Sequence, residues 1–214
     1  MRKAKEWIDL SQPLDERTLA YPGDPQLTIT AVGGYARDGY LLSQITSGMH
    51  LGTHIDFPSH FLPGGKTCMD YPPYRFIGMG AKVTVTPRLG VIATSDIADG
   101  CRQTSGPSIL VLETGHGRLW NDERYYSECP VFEDDLGAFL QQAGITLFFT
   151  DLPTVRYRDG ERSAMHRELL GQDILIGENL RIPSDLGREF EFIALPLPLN
   201  DIEASIVRAV AKNI

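Results

Sequence analysis

Three of the five histidines fall within eleven residues, in the run Ser47-Gly48-Met49-His50-Leu51-Gly52-Thr53-His54-Ile55-Asp56-Phe57-Pro58-Ser59-His60. On an extended backbone alternate side chains share a face, which puts His50, His54, Asp56 and His60 on one side and Leu51, Ile55 and Phe57 on the other. Two imidazoles and a carboxylate on one face suit a borderline divalent cation such as zinc or manganese. An extended His50–His54 segment spans roughly 13 Å, too far for both rings to bind one ion at about 2.1 Å, so a bend is needed. Gly52, with Gly48 before it, supplies residues that take a bend without steric cost. Pro58 disfavours helix in the residue before it and is expected to keep Asp56–His60 extended.

Three protein ligands leave positions open on the ion, the mark of a catalytic rather than a closed structural site. An ion there lowers the pKa of bound water from about 15.7 towards about 7. His60 then stands as general acid/base, with an ordinary pKa near about 6.5, or alternatively as a fourth ligand. The competing interpretation is a set of surface or internally satisfied polar groups. Burying four unpaired ionisable groups beside apolar residues would carry a heavy penalty, which favours the metal.

The elements that must position these groups read as α/β. Short apolar runs bounded by Gly, Pro and Asp, namely Lys82–Thr86, Ile109–Thr114, Ile145–Phe149 and Phe190–Leu195, predict strands. Glu133–Ala143 predicts a helix with acids in its first turn and Gly144 as its stop, and Ser163 is placed to cap a short helix from Ala164 to Leu170 ended by Gly171. Ile202, Ile206 and Val210, at four-residue steps, predict another helix. The first 90 residues are rich in turn and β-branched residues, so a mixed sheet or barrel-like β core with flanking helices is expected rather than a doubly wound sheet.

The 214 residues have 42% hydrophobic and 22% charged content, ordinary globular proportions that exclude a disordered tail or a collagen-like repeat. Prolines and glycines are spread evenly, and one domain spanning residues 1–214 is expected. A formal charge of -8 without a Lys/Arg cluster excludes a nucleic-acid groove. Cys68, Cys101 and Cys129 are odd in number and far apart, as in a reduced cytoplasmic protein. The basic start Met1-Arg2-Lys3-Ala4-Lys5 is not followed by an apolar export segment, and no apolar run approaches the ~20 residues of a membrane span. The expected partner is a small molecule, with neither nucleic acid nor membrane involved.

His50-Leu51-Gly52-Thr53-His54-Ile55-Asp56-Phe57-Pro58-Ser59-His60 closely resembles the His-x-Gly-Thr-His-x-Asp-x-Pro-x-His signature of the metal-dependent cyclase family, the bacterial kynurenine formamidase and isatin hydrolase group. Further blocks follow in order over nearly the whole chain: Tyr21-Pro22-Gly23-Asp24, Leu110–Gly115, Asp151–Val155, His166 with Gly177-Glu178-Asn179-Leu180, and Ala194–Leu197. The resemblance implies a cyclase-like fold of the swivelling β/β/α type and a metal-dependent hydrolase cleaving a formamide or lactam of a small, aromatic substrate. It implies that Asp56 bridges two ions and that His166 and Glu178 complete the second site, giving one or two zinc or manganese ions per subunit. It also implies a homodimer or homotetramer whose neighbouring subunit completes the pocket. Taken without the family, His166 sits on the short predicted helix and Glu178 follows the strand-like Ile174–Ile176, so both can reach one pocket from adjoining elements.

Other residues have two readings each. Tyr21 and Phe57 line an aromatic substrate pocket or pack in the core. His116 touches substrate or lies in a solvated turn, and Asp151 contacts a ligand at a strand end or caps a turn. Arg156, Arg158 and Arg162 point to a substrate carboxylate. The chain departs from the formamidase pattern in having Tyr21 where Trp is usual before Pro-Gly-Asp, and Ser205-Ile206-Val207-Arg208 where proline often precedes Val-Arg. Substrate identity is therefore less fixed than reaction class. The alternatives are a lyase or dehydratase using the same Lewis acid, and a non-catalytic metal- or ligand-binding protein on the same scaffold.

Overall fold

The computed structural model describes residues 6–133 and 135–214. The basic residues 1–5 and Asp134, one of the acids expected in a helical first turn, lie outside the described residues. Among the described residues, twelve strands and five short α-helices follow in the order β1 (Ile8–Asp9), β2 (Thr28–Gly33), α1 (Tyr35–Asp38), β3 (Leu42–Thr46), β4 (His54–Asp56), β5 (Ile77–Thr84), β6 (Val91–Ile92), α2 (Thr94–Cys101), β7 (Ile109–Glu113), α3 (Arg124–Ser127), β8 (Val131–Phe132), α4 (Leu136–Gln142), β9 (Leu147–Thr150), α5 (Ala164–Gly171), β10 (Leu175–Glu178), β11 (Glu189–Pro196) and β12 (Ala204–Asn213).

Seven of these strands close a mixed barrel in the order β12-β11-β5-β7-β9-β10-β4, and β4 returns to pair with β12. The strands β5, β7, β9 and β10 run parallel, and the remaining barrel pairings are antiparallel. The parallel strands β7, β9 and β10 are apolar almost throughout because both of their faces are covered, as Ile109–Leu112 and Leu147–Phe149 show. Helices α2, α4 and α5 lie outside, and α2 packs on β5 and α5 on β10. The ribbon β2–β3 stands off the barrel with Ile29, Leu42 and Ile45 exposed. Among the described residues no helix is long and apolar enough to cross a membrane.

Large rings fill the barrel where neighbours are small. Phe149 and Phe192 meet with ring centroids 5.2 Å apart. A methyl group at Gly177 would collide with the Phe149 ring, and one at Gly80 with Phe190. Those glycines are what make room for Phe149 and Phe190, each contributing roughly 2 kcal/mol of apolar burial.

The barrel agrees with the expected β core, and four of the predicted strands appear with shifted ends. The helix expected over Ile202–Val210 is instead strand β12. A four-residue step is also an even step, so it fits a strand as well as a helix. After Ala204, buried where β12 begins, the buried residues are Ser205, Val207, Ala209 and Ala211, at period two. Glu133 does not join α4; its carboxylate accepts from the Thr94 backbone N–H at 3.2 Å, at the start of α2. Ser163 precedes α5 without capping it through its side chain, and its hydroxyl donates to Glu161 instead.

Candidate metal and substrate site

Strand β4 lies between β10 and β12, which fixes its face on both edges. His54 stands opposite Glu178 and Asp56 opposite Ile176, while Ile55 between them points into the core and is fully buried. The alternation expected from the sequence therefore holds for His54, Ile55 and Asp56. It does not extend to either flank. Before β4 the chain turns at Gly52, whose φ of 63° is the left-handed conformation that glycine takes freely, and the turn brings His50 back over the strand. After β4, Pro58–His60 form a 3-10 turn with Pro58 at its first position, not the extended segment expected. The residue before Pro58 is indeed extended, but proline's fixed φ favours opening a helical turn at its own position. That turn folds His60 onto His50, with ring centroids 4.1 Å apart.

Asp56 is the hub. Its Oδ1 lies 2.9 Å from His50 Nδ1 and 3.3 Å from His54 Nε2, and its Oδ2 lies 3.7 Å from His166 Nε2. Glu178 faces His54 Nε2 at 3.5 Å and His166 Nε2 at 3.2 Å. His166 comes from α5, which packs on β10, so helix and strand converge on one point. Two three-residue sets hold ligand atoms within 4.8 Å of one another, His50–Asp56–His60 and His54–Asp56–Glu178, and they share Asp56.

Charge and hydrogen bonding test whether a cation belongs there. Burial works against a charged His50, but Asp56, Glu178 and Glu203 outweigh it and lift its pKa to about 9. Burial likewise opposes a charged His166, and Glu178 and Asp56 still raise it. Burial alone would push Asp56 upward; His50 and His54 hold it well below the usual carboxylate range. His60 is lowered to about 4, by burial first and by repulsion from His50 and His166, with Asp56 opposing. Both Asp56 oxygens and the Nε2 atoms of His50 and His54 are buried without a well-aligned hydrogen bond, the contacts to Asp56 being charge contacts. His54 Nδ1 is turned to the Gly52 carbonyl at 2.8 Å, and donating there leaves the Nε2 lone pair pointing inward. Buried acceptors left open around two carboxylates are the arrangement a divalent cation satisfies. The residues present fit such an ion.

The cluster opens into a cavity of about 330 Å³ that Tyr21, His50, His60, Phe61, Arg162 and His166 help to line. Of the two expected aromatic contacts, Tyr21 lines it and Phe57 does not. Phe57 is fully buried between Tyr71 and Phe76, because Pro58 ends the strand there and turns the chain after it. The aromatic wall is Phe61, whose ring lies 4.0 Å from His60 and 4.8 Å from His166 between centroids. Reading Asp56–His60 as extended hid Phe61, since the 3-10 turn is what aims it inward.

His116 and Asp151 belong to a buried scaffold behind the cluster. Asp151 accepts from the Thr114 N–H and hydroxyl at 2.9 and 2.7 Å and from the Gly117 N–H at 3.1 Å, and so caps that turn. His116 is buried, not solvated, and its ring stacks on Tyr125 with centroids 5.3 Å apart. Tyr125 Oη lies 2.9 Å from both the Asp151 carbonyl and Asn179 Oδ1 and shares its one proton between them, and Asn179 Nδ2 donates to the Gly52 carbonyl at 3.0 Å. The Gly52 turn is thereby tied to β7, β9 and β10. Tyr125 escaped the sequence reading because its partners are distant in the chain. Asn179 gave one signal, as a residue type that tolerates the left-handed backbone it adopts at φ 58°.

A closed mixed barrel thus carries a His/Asp/Glu cluster that fits a divalent cation and opens into a cavity of small-molecule size. The chain belongs to the cyclase family: residues 8–156 match the family described as putative cyclase. It is 32% identical to kynurenine formamidase of Bacillus cereus over 99% of this chain and 100% of that protein, and 32% identical over the same shares to that of Bacillus mycoides. Among solved structures it is similar to an isatin hydrolase bound to the product analogue thioisatinate (TM-score 0.81, 18% identity, 97% of this chain and 92% of that one). It is also similar to a predicted metal-dependent hydrolase from Bacillus stearothermophilus (TM-score 0.80, 22% identity, 98% of each chain). The chain is a hydrolytic enzyme of this family.

Proposed function

We propose that this enzyme hydrolyses the formamide bond of a small N-formyl arylamine, with divalent metal held by His50, His54, Asp56, His166 and Glu178. The observation that carries it is the convergence of these side chains on the buried Asp56 carboxylate. The full-length similarity to kynurenine formamidases supports a formamide over other bonds.

A bound divalent ion there supplies Lewis acidity, polarising an amide carbonyl and making water a competent nucleophile near neutral pH. Asp56, common to both ligand sets, fixes their spacing, and Glu178 adds the second negative charge. His60 lines the cavity, and burial favours its neutral form, so its imidazole is free to take a proton and return it to the departing amine nitrogen. Phe61 and Tyr21 offer an aryl ring two apolar faces, and Phe61 also helps exclude water from His60 and His166.

The test is turnover of formanilide and of isatin by protein of measured metal content. The expected result is release of aniline and formate from formanilide, with isatin, whose ring would open to one product, turned over more slowly; the formanilide reaction is abolished by chelation, restored by zinc or manganese, and lowered about 100-fold or more in kcat by His60→Ala with metal content kept. Undiminished turnover after complete metal removal contradicts the proposal. Loss of an ion with His60→Ala would move His60 from proton carrier to ligand.

A further inference from the structure

A second groove, of about 440 Å³, shares no lining residue with the reaction cavity. Its apolar wall is aliphatic, with Leu14, Leu197, Ile206 and Val207 and no aromatic ring, and its charged residues are Asp9, Arg181 and Arg208. Arg208 is committed to the Asp9 carboxylate through Nε at 2.9 Å and Nη2 at 2.7 Å. Arg181 donates Nη2 to the Asp9 backbone carbonyl at 3.0 Å and, among the described residues, takes part in no ion pair. Two positive charges thus stand against one negative, and the guanidinium left over is that of Arg181.

The groove is bonded to the turn that carries the metal cluster. Ile206 stands opposite His54 in the pairing of β12 with β4, and the Val207 N–H donates to the Thr53 carbonyl at 2.9 Å. Gln12, also in the lining, donates its backbone N–H to Thr53 Oγ1 at 2.9 Å, and that hydroxyl donates to the Asn179 carbonyl at 2.9 Å. A methyl group at Gly52 would collide with Leu14, so Leu14 rests directly on the left-handed turn that returns His50 over β4.

We propose that this groove binds a small aliphatic monocarboxylate, its chain along Leu14, Leu197, Ile206 and Val207 and its carboxylate on Arg181, and that occupancy is coupled to metal affinity through Thr53 and the Gly52 turn. A guanidinium fork matches the planar pair of carboxylate oxygens. One net positive charge suits a monoanion, and a wall without rings to stack on suits an alkyl chain. A chain packed behind Leu14 holds that side chain against the turn, so less ordering is left for the metal to impose and the two ligands favour each other. Neither the groove nor its coupling depends on which bond the enzyme cleaves.

The test is calorimetric titration of butanoate, hexanoate, octanoate and 1-hexanol into metal-free protein, where no ion can capture the carboxylate. Wild type is compared with Arg181→Gln and Leu197→Ser, both at exposed side chains, with circular dichroism melting to confirm folding. Wild-type affinity is expected to rise about 4-fold for each two methylenes, as for a chain half removed from water, and hexanoate to bind about 5-fold or more tighter than 1-hexanol. Arg181→Gln should abolish the preference for the acid, and Leu197→Ser should flatten the dependence on chain length. Absence of saturable octanoate binding, or binding unchanged in both variants, would overturn the site. Metal affinity, read by competition with a chromophoric chelator, is expected to rise about 3-fold when octanoate is added to wild type and to stay constant in Arg181→Gln. Octanoate binding without that rise would refute the coupling while leaving the site standing, and an equal rise in Arg181→Gln would place octanoate at the cluster itself and refute it too.

Discussion

Asn179→Ala tests how the buried scaffold holds the metal cluster. The Asn179 side chain accepts from Tyr125 Oη at 2.9 Å and donates to the Gly52 carbonyl at 3.0 Å. Both partners keep a second bond after its removal, Tyr125 to the Asp151 carbonyl and Gly52 to His54 Nδ1. No group is orphaned, so each lost bond costs about 1 kcal/mol rather than a full desolvation penalty. Alanine at a φ of 58° adds about 1 kcal/mol of backbone strain. The sum is about 3 kcal/mol for Asn179→Ala and about 2 kcal/mol for Asn179→Gly, which loses the same bonds without that strain. Urea unfolding of chelator-treated protein by circular dichroism reads these values. Because His54 is oriented through the same Gly52 carbonyl, metal affinity is expected to fall about 10-fold or more in both variants, read by competition with a chromophoric chelator. A destabilisation below about 0.5 kcal/mol in both, with metal affinity unchanged, would refute a scaffold role for this network.

Two further outcomes concern the rest of the barrel. Asp173 is half exposed; burial would raise its carboxyl, but Tyr71, Lys66 and Arg75 hold it below the usual range. A depressed folded pKa contributes stability above the unfolded value near about 3.9 and loses it as pH falls through the folded value, so Asp173→Asn, which tolerates the same left-handed backbone at φ 61°, should cost about 1 kcal/mol at pH 7 and nothing near pH 2. An equal cost at both pH values in urea titrations would show that the charge is not responsible. Gly177→Ala forces a methyl group into the Phe149 ring beside Glu178, and is expected to lower stability by roughly 1–3 kcal/mol together with metal content. A variant with wild-type melting and metal content would mean that the barrel absorbs the methyl by repacking.

Much of the site was legible because the residues that face one way along β4 are held by pairing on both edges: period two in His54-Ile55-Asp56 is enforced by β10 and β12. Gly52 announced the bend that returns His50. The flanks misled where local conformation departs from the strand: Pro58 opens a 3-10 turn, which buries Phe57 and aims Phe61 at the cavity. The parallel strands β7 and β9 were visible as continuous apolar runs, while Ile202, Ile206 and Val210 carried a spacing common to helix and strand, and only the pairing of β12 with β11 and β4 decides between them. Barrel closure and the Tyr125–Asn179 scaffold depend on contacts across 54 residues or more, which no local pattern encodes.

Asp56 belongs to both three-residue sets, so replacing it removes the carboxylate that each set shares. Elemental analysis of folded wild-type and Asp56→Asn protein, loaded with zinc or manganese and then dialysed, measures this directly. Wild type is expected to retain divalent metal and Asp56→Asn to lose essentially all of it while circular dichroism stays native. Metal retained at the wild-type level in folded Asp56→Asn would contradict a site organised around this carboxylate.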